Sequence, residues 1–176
     1  ISNDGKLLTL RADGSRFSLA CLPKEDYPII DQNKSGVNIK LNSKILFKLI
    51  DKTKFAISNE ETRYFLNGLY FNITKENNRS IVTLVGTDGH RLAKFSHNIN
   101  DNIDQISGVI IPKKTIYELS KLLSEIDQNI EISISSNKII FNIGEITFIS
   151  KLIDGSFPDY KRVIPKDIQI FLKLIE

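Results

Sequence analysis

Val37-Asn38-Ile39-Lys40-Leu41-Asn42-Ser43-Lys44-Ile45-Leu46-Phe47-Lys48-Leu49 changes its apolar period halfway, from alternation through Leu41 to helical spacing from Leu46 onward. A strand running directly into a helix is predicted. Shifted by 70 residues, Ile39, Leu41, Lys44, Leu46, Phe47 and Leu49 fall on Val109, Ile111, Lys114, Ile116, Tyr117 and Leu119. The same shift carries Phe71-Asn72-Ile73 onto Phe141-Asn142-Ile143, so the unit is duplicated. At an offset of 66, Asp88-Gly89 meets Asp154-Gly155, the difference being absorbed by the polar turn from Lys75 to Ser80 in the first repeat. Insertions collect in surface turns.

A partial third echo opens the chain. Lys6-Leu7-Leu8, Leu19, Leu22 and Tyr27-Pro28 resemble Lys138-Ile139-Ile140, Ile149, Leu152 and Phe157-Pro158. The chain therefore starts inside a repeat, and its last residues, Ile170 to Glu176, read as the first strand of a further unit. A fragment of a longer protein is expected, with boundaries near residues 1–30, 31–160 and 161–176.

Strand signals cover Lys6 to Arg11, Arg16 to Leu22, Val37 to Leu41, Tyr64 to Thr74, Ile81 to Gly86 and Arg91 to Ser96. They continue over Val109 to Ile111, Ile130 to Ser135, Lys138 to Ile143 and Glu145 to Leu152. Asp13-Gly14, Asp88-Gly89, Ser136-Asn137 and Gly144 supply the turns of consecutive antiparallel hairpins. One helix is predicted from Ser43 to about Ala56, capped by Asn42 or Ser43, with Leu46, Leu49, Ile50 and Phe55 on one face. A second follows Pro112 from Lys113 to about Glu125, with Ile116, Leu119, Leu122 and Leu123 inward. Two strand-helix-strands units give a pseudo-symmetric α+β domain with both helices on one side of antiparallel sheet.

The remaining chemistry is sparse. A net charge of +3, from 24 basic and 21 acidic residues, does not by itself mark a nucleic-acid protein. The one cysteine, Cys21, reads as a small buried hydrophobe and permits reducing, cytosolic surroundings. His90 and His97 would point to opposite faces of one strand, which excludes a shared metal. No phosphate loop, nucleophile elbow or Cys-His pair appears, and Asp88 beside His90 is explained by turn chemistry, so neither enzyme nor cofactor is expected. Lys44, Lys48 and Lys52 form a cationic strip at every fourth residue of the first helix, with Lys54 beside it. The second helix shows Lys113, Lys114 and Lys121 among Glu118 and Glu125. A single such helix is also explained as a solvated face; two side by side would share one basic surface.

Arg63-Tyr64-Phe65-Leu66-Asn67-Gly68, Thr87-Asp88-Gly89-His90-Arg91-Leu92-Ala93 and Phe157-Pro158-Asp159-Tyr160-Lys161-Arg162-Val163, in this order, resemble the bacterial β sliding clamp family, the processivity subunits of replicative DNA polymerase III. The resemblance covers the whole chain: the end of a first clamp domain, a complete central one and the entry to a third. It implies a cytoplasmic homodimeric ring with helices lining its hole, around duplex DNA held without base readout. Lys44, Lys48, Lys52 and Lys114 would face that DNA, with Arg63 and Tyr64 at the rim. Glu60-Glu61 departs from family members that carry Gln there. The resemblance also implies a pocket formed by Leu66, Thr87, Gly89, His90, Arg91, Leu92, Pro158, Arg162 and Val163. Short peptides of the polymerase III alpha subunit, the clamp loader and repair proteins would dock in it. Leu66, Leu92, Pro158 and Val163 would form its walls, and Arg91 and Arg162 would offer donors. The alternative is a protein-interaction scaffold that binds no DNA; no membrane role is implied.

Overall fold

The computed structural model describes residues 2–3, 5–27, 36–76, 79–99, 103 and 106–165. It divides into two compact units, Ile1–Asn33 and Lys34–Glu176; the predicted strand from Ile170 lies outside the described residues. In the first unit, β1 (Ser2–Asn3), β2 (Leu7–Ala12) and β3 (Ser15–Ala20) form an antiparallel sheet in that order. Asp13 adopts a φ of 37° at the β2–β3 turn, as the Asp-Gly pair requires. Among the described residues of this unit no second layer covers the sheet, and Phe17 and Leu19 are exposed. Cys21, expected to be buried, is accordingly only half-buried just beyond β3. Alternation buries a face only where another layer lies on it.

In the second unit, β4 (Val37–Asn42) passes without a loop into α1 (Ser43–Asp51), followed by β5 (Gly68–Glu76), β6 (Arg79–Thr87) and β7 (Leu92–Ile99). The second repeat supplies β8 (Ile106–Pro112), α2 (Lys113–Ser124), β9 (Asn129–Ile134), β10 (Lys138–Ile143) and β11 (Ile146–Lys151). The sheets run β7-β6-β5-β8 and β11-β10-β9-β4, with every pairing antiparallel. Each repeat therefore lends its first strand to the other's sheet: Ile39 pairs with Ile132, and Val109 with Phe71. Neither repeat can close its own sheet, so the duplication makes one domain.

The helices pack against each other, α1 also lying against β6 and β7, and α2 against β5 and β8. Leu46, Leu49 and Ile50 of α1 and Ile116, Leu119 and Leu123 of α2 are buried in one core with Phe71 and Phe141. Each such side chain contributes roughly 1.5–3 kcal/mol by leaving water.

Several predicted boundaries are corrected. The first helix ends at Asp51 rather than near Ala56. The buried Thr53 hydroxyl donates to the carbonyl oxygens of Leu49 and Ile50 at 2.7 and 3.3 Å, closing the last turn before a 3-10 turn over Lys54–Ala56. Phe55 thereby leaves the apolar face and is 56% exposed. Leu122 is half-buried at the margin of its helix. Tyr64–Leu66 forms a 3-10 turn before β5 instead of strand, because the Leu66 N–H bonds back to the Arg63 carbonyl at 2.8 Å. Asn42 caps α1, its side-chain oxygen accepting from Lys44 N at 2.9 Å.

Candidate functional site: a groove at the exit of the second unit

Three segments distant in sequence meet at one end of the sheet β7-β6-β5-β8. The turn before β5 brings Arg63, Phe65 and Leu66, the β6–β7 loop brings Thr87 to Leu92, and the segment after β11 brings Pro158, Asp159, Tyr160 and Val163. They enclose a groove of about 550 Å³ with a mostly apolar lining. Leu66 is buried in its floor at 3% exposure, whereas Val163 stands 69% exposed at its margin.

The β6–β7 loop is held by its own polar side chains. The Thr87 hydroxyl donates to the Arg91 carbonyl at 2.7 Å and accepts from Gly89 N at 3.1 Å. Asp88 Oδ1 accepts from the N–H groups of both His90 and Arg91 at 3.0 Å, an Asx turn, and Oδ2 accepts from Arg91 Nε at 3.0 Å. Those two backbone donors, followed by the guanidinium, hold the Asp88 carboxyl down to about 2. His90 belongs to this loop and not to β7, so the expected strand relation between His90 and His97 does not exist. Among the described residues no group of His, Cys, Asp or Glu could hold a metal.

Of the residues named for this site from sequence, Leu66, Thr87, Gly89, His90, Arg91, Leu92, Pro158 and Val163 line the groove. Arg162 does not. It is turned to Asp159, one turn back, at 2.9 Å. Arg91 lines the groove with its donors partly engaged: besides Asp88, it donates from a terminal nitrogen to the Phe55 carbonyl at 2.9 Å and lies over the Phe55 ring. Arg63, placed at a DNA rim from sequence, lies in the groove wall, its Nε donating to Glu60 Oε2 at 2.7 Å. That bond raises the guanidinium and lowers the carboxyl. The 3-10 turn puts Arg63 and Leu66 three residues apart on one side, which a strand reading hides. Tyr64 is exposed and meets the Phe65 ring edge-on.

The lysines occupy the helix layer. Lys44, Lys48, Lys52 and Lys114 are exposed. Lys44 pairs with Asp127 at 2.5 Å, and Lys48 lies over the Phe95 ring of β7 at 5.7 Å. Lys54 bridges the helices, pairing with Asp51 and donating to the Ser120 hydroxyl of α2 at 3.0 Å. The two helices that carry these lysines pack against each other.

A family model described as DNA polymerase III beta subunit, central domain, matches residues 40–159. The beta sliding clamp of Caulobacter vibrioides strain NA1000 is 42% identical over 166 residues, 94% of this chain and 45% of that protein. That of Escherichia coli K12 is 40% identical over 164 residues, 93% of this chain and 43% of the relative. A crystal structure of a sliding clamp from Bartonella birtlesii, bound to griselimycin, superposes with a TM-score of 0.85 at 46% identity, covering 93% of this chain and 44% of that one. The α+β fold with paired helices is thus the fold of sliding clamps. The chain spans a little under half the length of the curated relatives it matches.

Proposed function

The chain belongs to the DNA polymerase III beta subunit family, and on that premise we propose that it forms the central part of a sliding clamp that encircles duplex DNA and docks replication and repair proteins. The role requires no chemistry: the ring holds DNA by topology, and diffuse positive charge attracts phosphate without arresting movement. Lys48, Lys52 and Lys114 on the helix surface supply that charge, with Lys44 contributing less because Asp127 answers it. The full-length protein would close a ring as a homodimer, its other domains completing both ring and groove.

One observation carries the docking half of the reading: the groove gathers Leu66, Leu92, Pro158 and Val163 beside Arg63 and His90. It fits a short peptide ending in apolar residues, from the polymerase alpha subunit, the clamp loader or a repair protein. Two buried anchors at roughly 1.5–3 kcal/mol each, less ordering costs, give weak to micromolar affinity, so partners exchange.

The test is retention. The full-length protein, loaded on nicked circular DNA, stays bound and runs off once the circle is linearised; equal retention on both forms would defeat topological binding. Full peptide binding with no DNA dependence would favour the scaffold reading, toward which the Lys44–Asp127 and Lys54–Asp51 pairs lean by neutralising cations.

A further inference from the structure

The wall of the groove formed by residues 158–163 belongs to no sheet. Its placement comes from an aromatic contact behind it. Tyr70 and Asn72 project from the same face of β5, two residues apart. The Tyr70 ring stacks on Phe157 with centroids 4.9 Å apart and planes at 16°, and meets Tyr160 at 6.0 Å. Asn72 adjoins both phenols and the Gly108 backbone N–H adjoins that of Tyr70, each opposing the effect of burial there. Asn72 is 93% buried, and its Oδ1 has no partner among the described residues. Burial of the pair pushes both phenols up.

The ring reaches this position because β8 has no side chain in its path. Gly108 lies where a Cβ would overlap the Tyr70 ring atoms. It also lies within the register shift between β5 and β8, where Phe71 pairs with Val109 but Ile73 with Ile106. The strand leading to Phe157 is tied to the same β8, Ile153 N donating to the Ile110 carbonyl at 3.0 Å.

The geometry points to Tyr70 and Asn72, with the space left by Gly108, as positioning residues that latch the 157–163 segment and so set the shape of the groove from outside it. None of the three lines the groove. Phe157 and Tyr160 are the held residues, and Pro158, Asp159 and Val163 are carried with them. The effect on docking rests on the peptide reading proposed above; the latch itself does not.

Two measurements on the full-length protein separate these. The first is hydrogen exchange of the Arg162 and Val163 amides, bonded to the Asp159 and Tyr160 carbonyls, with the β6 amides as a fold control. The second is titration with a fluorescein-labelled short peptide ending in Leu-Phe. Gly108→Ala and Tyr70→Ala should each speed exchange at Arg162 and Val163 and weaken the peptide about tenfold, the upper size of one aromatic pair. Tyr70→Phe keeps the stack but takes the hydroxyl from Asn72 and Gly108, and should fall between wild type and Tyr70→Ala. The double variant should be no worse than Tyr70→Ala, because without the ring the new methyl displaces nothing. Tyr70→Ala adds no bulk and covers the case in which Gly108→Ala misfolds. Unchanged exchange in Tyr70→Ala would overturn the latch. A wild type that binds no peptide would sink the docking reading instead, while exchange still decides the latch.

Discussion

Arg63 lies across Gly89: a Cβ on Gly89 would come within 2.5 Å of a guanidinium nitrogen, at a backbone φ of 90°. The groove wall and the β6–β7 loop touch there through a position that only glycine fills without strain. Gly89→Ala should cost about 1–2 kcal/mol in urea denaturation from the left-handed backbone alone. It should also swing Arg63 away from Glu60 and weaken peptide binding. An unaltered midpoint and affinity would show that the loop relaxes freely.

Asp88 sets the acid limit of the loop. Its carboxyl is held down to about 2, chiefly by the His90 and Arg91 N–H groups. A lowered folded value means stability that is present above the ordinary carboxyl range near 4 and is lost as pH falls from there toward 2. Asp88→Ala should therefore be less stable than wild type at pH 7, the difference vanishing near pH 2. A carboxyl-carbon NMR titration of Asp88 with a midpoint near 4 would contradict the assignment.

Leu66 and Leu92 both face the groove, but only Leu92 is a clean probe. Leu66 is buried at 3% exposure, and Leu66→Asp would place an unpaired charge in the core and unfold the domain. Leu92 is half-buried at the start of β7. Leu92→Asp should keep the circular dichroism spectrum and melt within a few degrees of wild type, yet lose peptide binding in calorimetry. Wild-type affinity would remove Leu92 from the site.

The change of period at Leu41 to Leu46, the 70-residue echo and the Asp-Gly turns made the fold class readable, because each is a local constraint of backbone and burial. The exchange of first strands was not readable: Val37–Asn42 has the same alternation whether it pairs with its own repeat or with β9. Tyr64-Phe65-Leu66 has strand propensity but forms a turn, the Leu66 N–H bonding back to the Arg63 carbonyl while the Leu66 carbonyl accepts from Ser58 N. Arg63, assigned to a DNA rim through the family resemblance, lines the groove beside that turn. Arg162 lies outside the groove lining, its guanidinium engaged by Asp159 within one turn, a local pairing that the resemblance does not reveal.

Leu49 and Leu119 are equivalents in the two repeats and both are wholly buried. Leu49→Ala and Leu119→Ala should each cost about 2–5 kcal/mol. Because each repeat completes the other's sheet, either substitution should lower a single shared transition. Fluorescent probes placed on β6 and on β10 should report the same urea midpoint; separate midpoints would mean that the repeats fold independently.

The lysines of the helix layer are not equivalent, and charge reversal should resolve them. Lys44 is already answered by Asp127 at 2.5 Å, whereas Lys52 and Lys114 make no ion pair among the described residues. Each phosphate contact steepens the salt dependence of duplex binding by about 0.9 in log–log slope. Lys52→Glu with Lys114→Glu in the full-length protein should therefore flatten that slope by about 2, leaving peptide affinity untouched because neither residue lies in the groove. Lys44→Ala should flatten it less than Lys52→Ala, since Asp127 already offsets the Lys44 charge and leaves it a weaker phosphate contact. Fluorescence anisotropy of a labelled duplex across a salt series measures both. A slope that ignores Lys52 and Lys114 would remove them from any DNA-facing surface.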